Sequence, residues 1–158
     1  MDSGLRSRFA EHFGAVPDGT GAGFGRVNII GDHTDYNDGF VMPCILNHRT
    51  DVAIRARSDR LLNGFSGALG PAEATPEAVP KGHWLAYVTG ALAVTADIGV
   101  PQVGIDLLVE SSVPEGAGVS SSAALGVALV RGLCAAFSIA LPPAETVARL
   151  AQKIEHDF

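Results

Sequence analysis

The chain has 158 residues, of which 47% are hydrophobic and 18% charged, and its formal net charge is −6. That is long enough for one domain with a real core and too apolar for a disordered chain. The acidic balance argues against non-specific binding to nucleic acid or to an anionic membrane.

Leu5, Phe9 and Phe13 recur every fourth residue, which predicts a short amphipathic helix ending near Gly14. Residues 17–23 read as a glycine-rich loop. The run Gly21-Ala22-Gly23-Phe24-Gly25 has the glycine content of a dinucleotide turn, but it precedes a strand instead of following one, which excludes that role. Strands are predicted at 26–30, 40–46 and 52–57, the last with Val52, Ile54 and Ala56 alternating with Arg55 and Arg57. Residues 58–81 hold many Gly, Pro and Ala and read as strand fragments and loop. A helix is predicted over 84–98, closed by Gly99 and Pro101. Alternation returns at 103–109, with Val103, Ile105, Leu107 and Val109 on one face and Gly104, Asp106 and Leu108 on the other. A loop over 110–118 leads to a helix from the Ser120-Ser121-Ser122 run to about Phe137. Leu141-Pro142-Pro143 breaks the chain, and a last helix from near Ala144 carries Val147, Ala148, Ala151 and Ile154 at helical spacing. There is no internal repeat. Strands cluster ahead of helices, so the expected class is α+β and not a doubly wound parallel sheet.

Cys44 and Cys134 both sit in apolar runs and are expected to be reduced core thiols of a cytosolic, hence cytoplasmic, protein. The first 13 residues carry charges and no apolar segment of the secretory kind. The most apolar stretch, 123–141, is interrupted by Arg131 and predicts a buried helix, not a membrane span. The last helix reaches Phe158 with no glycine cap, proline or polar tail, so the sequence is expected to be a fragment of a longer protein.

Two stretches carry chemistry. In the first, an apolar run from Arg26 ends at Gly31 and is followed at once by Asp32, His33, Thr34, Asp35 and Tyr36. A strand that delivers its end into such a loop suits a ligand covered in hydroxyl groups, since Asp accepts hydrogen bonds while Thr and His donate or accept. Arg26 adds a cation beside two carboxylates. The competing reading is a solvated turn. The second stretch is Pro114-Glu115-Gly116-Ala117-Gly118-Val119-Ser120-Ser121-Ser122-Ala123, between a strand and a helix. Gly116 and Gly118 let amides approach a ligand, and the following helix aims free N–H groups and its positive dipole end into the loop. Serine hydroxyls there add donors and can reach a metal ion, which makes a workable polyphosphate cradle. It is not a Walker loop, because the Gly-Lys-Ser/Thr ending is absent; the competing reading is a glycine-rich turn with serine caps.

Gly25 to Tyr36 resembles the galactokinase signature, and Asn37-Asp38-Gly39-Phe40-Val41-Met42-Pro43 continues it. Pro114 to Ala123 resembles the second motif of the GHMP kinases, the superfamily of galactokinase, homoserine kinase, mevalonate kinase and phosphomevalonate kinase. Trp84-Leu85-Ala86-Tyr87-Val88-Thr89-Gly90 is similar to that family's segment near the adenine pocket, although the two rings by themselves read as a core aromatic pair. Ile154-Glu155-His156-Asp157-Phe158 is a fourth match, where a lone glutamate would otherwise be a solvated charge. The resemblance runs from about Phe9 to Phe158.

It implies a GHMP-kinase N-terminal domain of the ribosomal protein S5 domain 2-like fold. Residues 1–158 would be a galactose- and ATP-binding lobe, incomplete at the C-terminus and lacking the second lobe. The implied reaction transfers the ATP γ-phosphate to the anomeric hydroxyl of D-galactose. Asp32, His33 and Asp35 would hold sugar hydroxyls, with Thr34 in the same loop. Arg26 would stabilise charge on the transferring phosphoryl group. Gly116, Ala117, Gly118, Val119, Ser120, Ser121 and Ser122 would wrap the phosphates, with Ser122 and Glu155 on Mg2+. The implied partners are the small molecules galactose and ATP, with neither nucleic acid nor membrane.

Three departures stand out. Gly23-Phe24 replaces the usual Ala-Pro, and Asp32 stands where most members have Glu. The family's catalytic aspartate follows the Glu155 position by about a dozen residues, beyond this sequence. The 158-residue chain is therefore expected to have negligible activity and to expose an apolar face where a second lobe would pack. Two other functions fit the same motifs: a non-catalytic galactose- and ATP-binding regulator, and a kinase for a related sugar such as N-acetylgalactosamine or arabinose.

Overall fold

The computed structural model describes residues 3–35, 37, 39–114 and 116–158. The elements run α1 (Ser3–Phe13), β1 (Gly19–Ile30), α2 (Asp32–Asp35), β2 (Met42–Ala56), β3 (Leu62–Ser66), β4 (Gly70–Ala74), α3 (Leu85–Thr95), β5 (Ile105–Ser111), α4 (Ser121–Ala136) and α5 (Ala144–Asp157). One five-stranded sheet has the order β1-β2-β5-β3-β4. Neighbours are antiparallel except β3 and β5, which are parallel. The α+β expectation holds.

The sheet has helices on both faces. Ile105, Leu107 and Val109 of β5 and Val52 and Ile54 of β2 face the main core with α3, α4 and α5. Leu108 and Ala53 face the other way and pack on Leu5 and Phe9 of α1. The period-two reading of 103–109 is thus correct, and its second face is also buried. Asp106 on that second face is fully buried. It accepts bonds from Arg55 Nε at 2.9 Å, Arg57 Nη1 at 2.8 Å and Asn63 Nδ2 at 3.1 Å, so three neighbouring strands are tied through one carboxylate. A buried carboxylate persists only when so satisfied. Arg57 also donates to Asp59, and that bond holds the exposed Asp59 carboxyl down to about 2.

The glycine-rich segment at 17–23 is not a loop; it is the first half of the 12-residue β1. Gly19, Gly21 and Gly23 share one face of the strand, and α4 lies against their backbone. A Cβ added to Gly19, Gly21 or Gly23 would stand 2.2 Å from Ala136 N, 2.2 Å from Ala128 O or 2.1 Å from Ala124 O. The facing stripe of α4 is Ala124, Ala128, Gly132 and Ala136, small residues four apart. Glycine at period two in a strand, opposite alanine at period four in a helix, brings the two backbones into contact.

The strands predicted at 40–46 and 52–57 are one continuous β2 of 15 residues. Its polar middle, Asn47 to Asp51, hid the continuity. A register shift opposite Phe24 and Arg26 marks a bulge there. The first half of β2 and the end of β1 form a hairpin arm whose apolar side chains are open: Phe40 is 100% and Ile45 73% exposed, with Ile29, Ile30 and Met42 also exposed. Cys134 is buried as expected, and burial pushes its thiol upward. Cys44 is exposed, correcting the expectation of two core thiols: it belongs to the uncovered arm. No helix among the described residues is long and apolar enough to cross a membrane.

Gly21→Ala drives a methyl carbon into the α4 backbone, so it should destabilise the fold by about 3 kcal/mol, read as a lower urea midpoint. The 158-residue chain alone should self-associate through the arm, and Ile45→Lys should lower its light scattering without lowering its melting temperature.

Candidate functional site

The glycine- and serine-rich loop leads from the end of β5 into α4. Gly116 and Gly118 both have φ of +69°, and a Cβ at either would meet nothing within 4 Å. Their conformation, not crowding, demands glycine. Ser120 also sits in the left-handed region, at φ 60° and ψ 46°, and its side chain makes no cap bond to α4. The serine-cap reading is therefore not what the loop does. The α4 ladder begins with Ala124 N donating to Ser120 O at 3.0 Å, so the first-turn amides of a 16-residue helix remain turned toward the loop.

Arg26 N donates to Val119 O at 3.1 Å, and a Cβ on Gly25 would lie 3.1 Å from the same oxygen. The strand that carries Arg26 and the loop that precedes α4 are thus in backbone contact. The bulge at Phe24 and Arg26 turns this amide out of the β1–β2 ladder toward Val119. Ser122 Oγ donates to Glu155 Oε1, so the start of α4 and the end of α5 meet through the two side chains predicted to share a metal ion. A hydroxyl and a carboxylate suit Mg2+, which takes one or two protein oxygens and fills its remaining positions with phosphate and water. No cluster of three or more His, Cys, Asp or Glu residues that could hold a metal ion is present among the described residues.

Beside Ser121 and Ser122 opens a cleft of about 260 Å³. Trp84 at the N-cap of α3 and Tyr87 within α3 line it, with Leu69 and Ala68 from the β3–β4 turn. Both rings also pack on the core, with Trp84 Cη2 over Gly64. The core-pair reading of the two rings holds, and the same rings also form one wall of the cleft. Sequence reasoning missed the floor of the cleft, where Thr50 in the middle of β2, Ser66 at the end of β3 and Ser111 at the end of β5 present hydroxyls on three adjacent strands. The signal that could have found two of them is a small hydroxyl residue closing an apolar strand, as at Ser66 and Ser111.

The polar stretch after β1 folds as the single turn α2. Gly31, at φ +100°, makes the corner, and Thr34 Oγ1 donates within reach of Gly31 O at 3.0 Å and Phe40 O at 2.8 Å. A Cβ on Gly39 would stand 2.5 Å from Thr34 Cβ. The Thr34 hydroxyl thereby holds the loop closed on itself. His33 is exposed, and its carbonyl accepts from Asn37 Nδ2 at 2.8 Å. The side chains of Asp32 and Asp35, and the whole of Tyr36, Asp38 and Glu115, lie outside the described residues.

Residues 7–56 match the galactokinase galactose-binding signature, and residues 86–158 match the GHMP kinases N-terminal domain. A galactokinase of Streptomyces coelicolor is 41% identical over 156 residues, covering 96% of this chain and 40% of the relative. A galactokinase of Chloroflexus aggregans is 39% identical over 160 residues, covering 99% of this chain and 41% of the relative. The crystal structure of Lactococcus lactis galactokinase complexed with galactose superposes with a TM-score of 0.85 at 32% identity, over 99% of this chain and 42% of that one. Methanococcus jannaschii mevalonate kinase shares the fold alone, with a TM-score of 0.73 at 14% identity, over 86% of this chain and 45% of that one. The chain thus spans about two-fifths of the length of the curated relatives it matches.

Because space around Gly118 is open, Gly118→Ala should cost only the left-handed strain of about 1 kcal/mol in a thermal melt. A larger loss would mean that Val119 and its bond to Arg26 move with it.

Proposed function

From the premise that the chain belongs to the galactokinase branch of the GHMP kinases, we propose that residues 1–158 are the galactose- and ATP-binding N-terminal lobe, incomplete at its C-terminus, of an ATP-dependent galactokinase. The whole protein transfers the γ-phosphate to the anomeric hydroxyl of D-galactose and releases galactose 1-phosphate. It works in the cytoplasm on small molecules. The observation that carries this reading is the Arg26–Val119 backbone bond, which joins the sugar-signature strand to the phosphate loop. Two ligand sites on separate motifs become one reaction centre only if such a link exists.

Phosphoryl transfer asks little covalent chemistry of a protein; it asks for alignment and for stabilisation of charge spread over the phosphoryl oxygens. In this reading the α4 amides and the Gly116–Ser122 backbone hold the phosphates, and Ser121 and Ser122 add hydroxyl donors. Ser122 and Glu155 would hold Mg2+, which when bound supplies further neutralisation of phosphate charge. The Arg26 guanidinium stabilises charge on the group in transit. Asp32, His33 and Asp35 bind sugar hydroxyls, while Thr34 keeps their loop in shape. Trp84 and Tyr87 offer aromatic faces to the base.

The test is ADP release by the whole protein on addition of galactose, with N-acetylgalactosamine and arabinose as competing substrates. Glu155→Gln and Ser122→Ala should each lower kcat about 10²-fold. ATP consumption that does not depend on any sugar would overturn the assignment.

A further inference from the structure

The floor of the cleft holds polar groups to which the phosphate loop, the sugar loop and the metal pair give no task. Thr50 is 2% and Ser66 6% exposed, yet both line the cleft together with Ser111. Thr50 faces Ser111 across the β2–β5 ladder, and Ser66 faces Val109, two residues from Ser111 on the same face of β5, so the three hydroxyls share one face in a staggered row across strands β2, β5 and β3.

Their protons can be counted. Thr50 Oγ1 and Ser111 Oγ lie 2.9 Å apart and share one hydrogen bond, in which either can donate. Ser111 Oγ also accepts from Val113 N at 3.1 Å. Two hydroxyls bring two protons, and their shared bond uses one. If Ser111 donates, the Thr50 proton is left over; if Thr50 donates, the Ser111 proton is left over. Ser66 Oγ accepts from Leu69 N at 3.3 Å, a bond that leaves its own proton unspent. The floor therefore offers two O–H donors, at positions between the aromatic wall of Trp84 and Tyr87 and the serines that open α4. Buried hydroxyls are costly unless matched. Among the described residues no carboxylate or amide side chain lines the cleft, so they offer little to a ligand edge that is rich in donors.

We propose that the Thr50–Ser111 pair and Ser66 are nucleotide-recognition residues, which donate hydrogen bonds to acceptor atoms of the nucleoside part of ATP. The proposal rests on the cleft being the nucleotide site, as in the function argued above. The acceptors are either ring nitrogens of the base or oxygens of the ribose. The row selects for an acceptor-bearing nucleoside and acts on affinity for ATP, not on affinity for sugar.

The experiment measures initial rates on the whole protein at saturating galactose and varied ATP. Thr50→Val with Ser111→Ala removes the pair without removing much volume, and Ser66→Ala removes the third hydroxyl. Each should raise KM for ATP about fivefold, the equivalent of one hydrogen bond of about 1 kcal/mol, while KM for galactose stays in place. Restoring one hydroxyl, as Thr50→Ser in the Ser111→Ala background, should recover most of the affinity. Repeating the series with 2′-deoxy-ATP locates the acceptor: the loss vanishes if it is the ribose 2′-oxygen and persists if it lies on the base or elsewhere on the sugar ring. Should the double variant fail to fold, Ser66→Ala on its turn decides by itself. Unchanged KM for ATP in the folded variants, or equal rises for ATP and galactose, overturns the proposal. Lack of sugar-dependent ADP release by the unaltered protein would instead overturn the reading beneath it.

Discussion

The contact of α4 with β1 is the constraint on which the site depends. Three glycines on one face of a strand meet a stripe of alanine and glycine on one face of a helix, and no side chain separates them. A helix at ordinary distance from a sheet is kept there by intervening side chains, which can adjust. Here backbone meets backbone, and the position of α4 has little freedom. Its N-terminal turn is delivered to the side of Arg26, where the Arg26–Val119 bond completes the seam. The same helix presents Ser122 to Glu155 of α5, so one rigid placement sets the phosphate loop against both neighbours.

Much of this was legible. The four longer helices and strands after residue 84 follow from periodicity and from breakers such as Gly99 and Pro142. The two chemical motifs were visible as residue types in order, because a loop rich in donors at the end of a strand is local chemistry. What escaped was set by distant partners. Gly19 to Gly23 reads as a loop because glycine is rare in strands, and only α4, a hundred residues later, explains it. The continuity of β2 was hidden by its polar middle, in which Asn47 and His48 are exposed while Thr50 is buried against the neighbouring strand. Cys44 lies in an apolar run, yet exposure of that run depends on what covers it. The Asp106 network was not readable from one strand, since its partners come from β2 and β3.

The site also divides its labour between backbone and side chain. The phosphate loop relies on conformations that glycine and, at Ser120, a left-handed serine adopt. The α2 loop relies on a threonine that bonds to carbonyls of its own turn. Both place functional groups by local geometry on rigid elements, which is how a loop attains the accuracy a reaction requires.

The strand order β1-β2-β5-β3-β4 puts the central strand last in the chain. Until residues 105–111 leave the ribosome, the molecule consists of two separate hairpins, each with an open edge facing the gap that β5 will fill. Vectorial synthesis thus withholds the keystone of the sheet until two-thirds of this sequence has emerged, and any rescue by a nascent-chain chaperone has to act on that split intermediate.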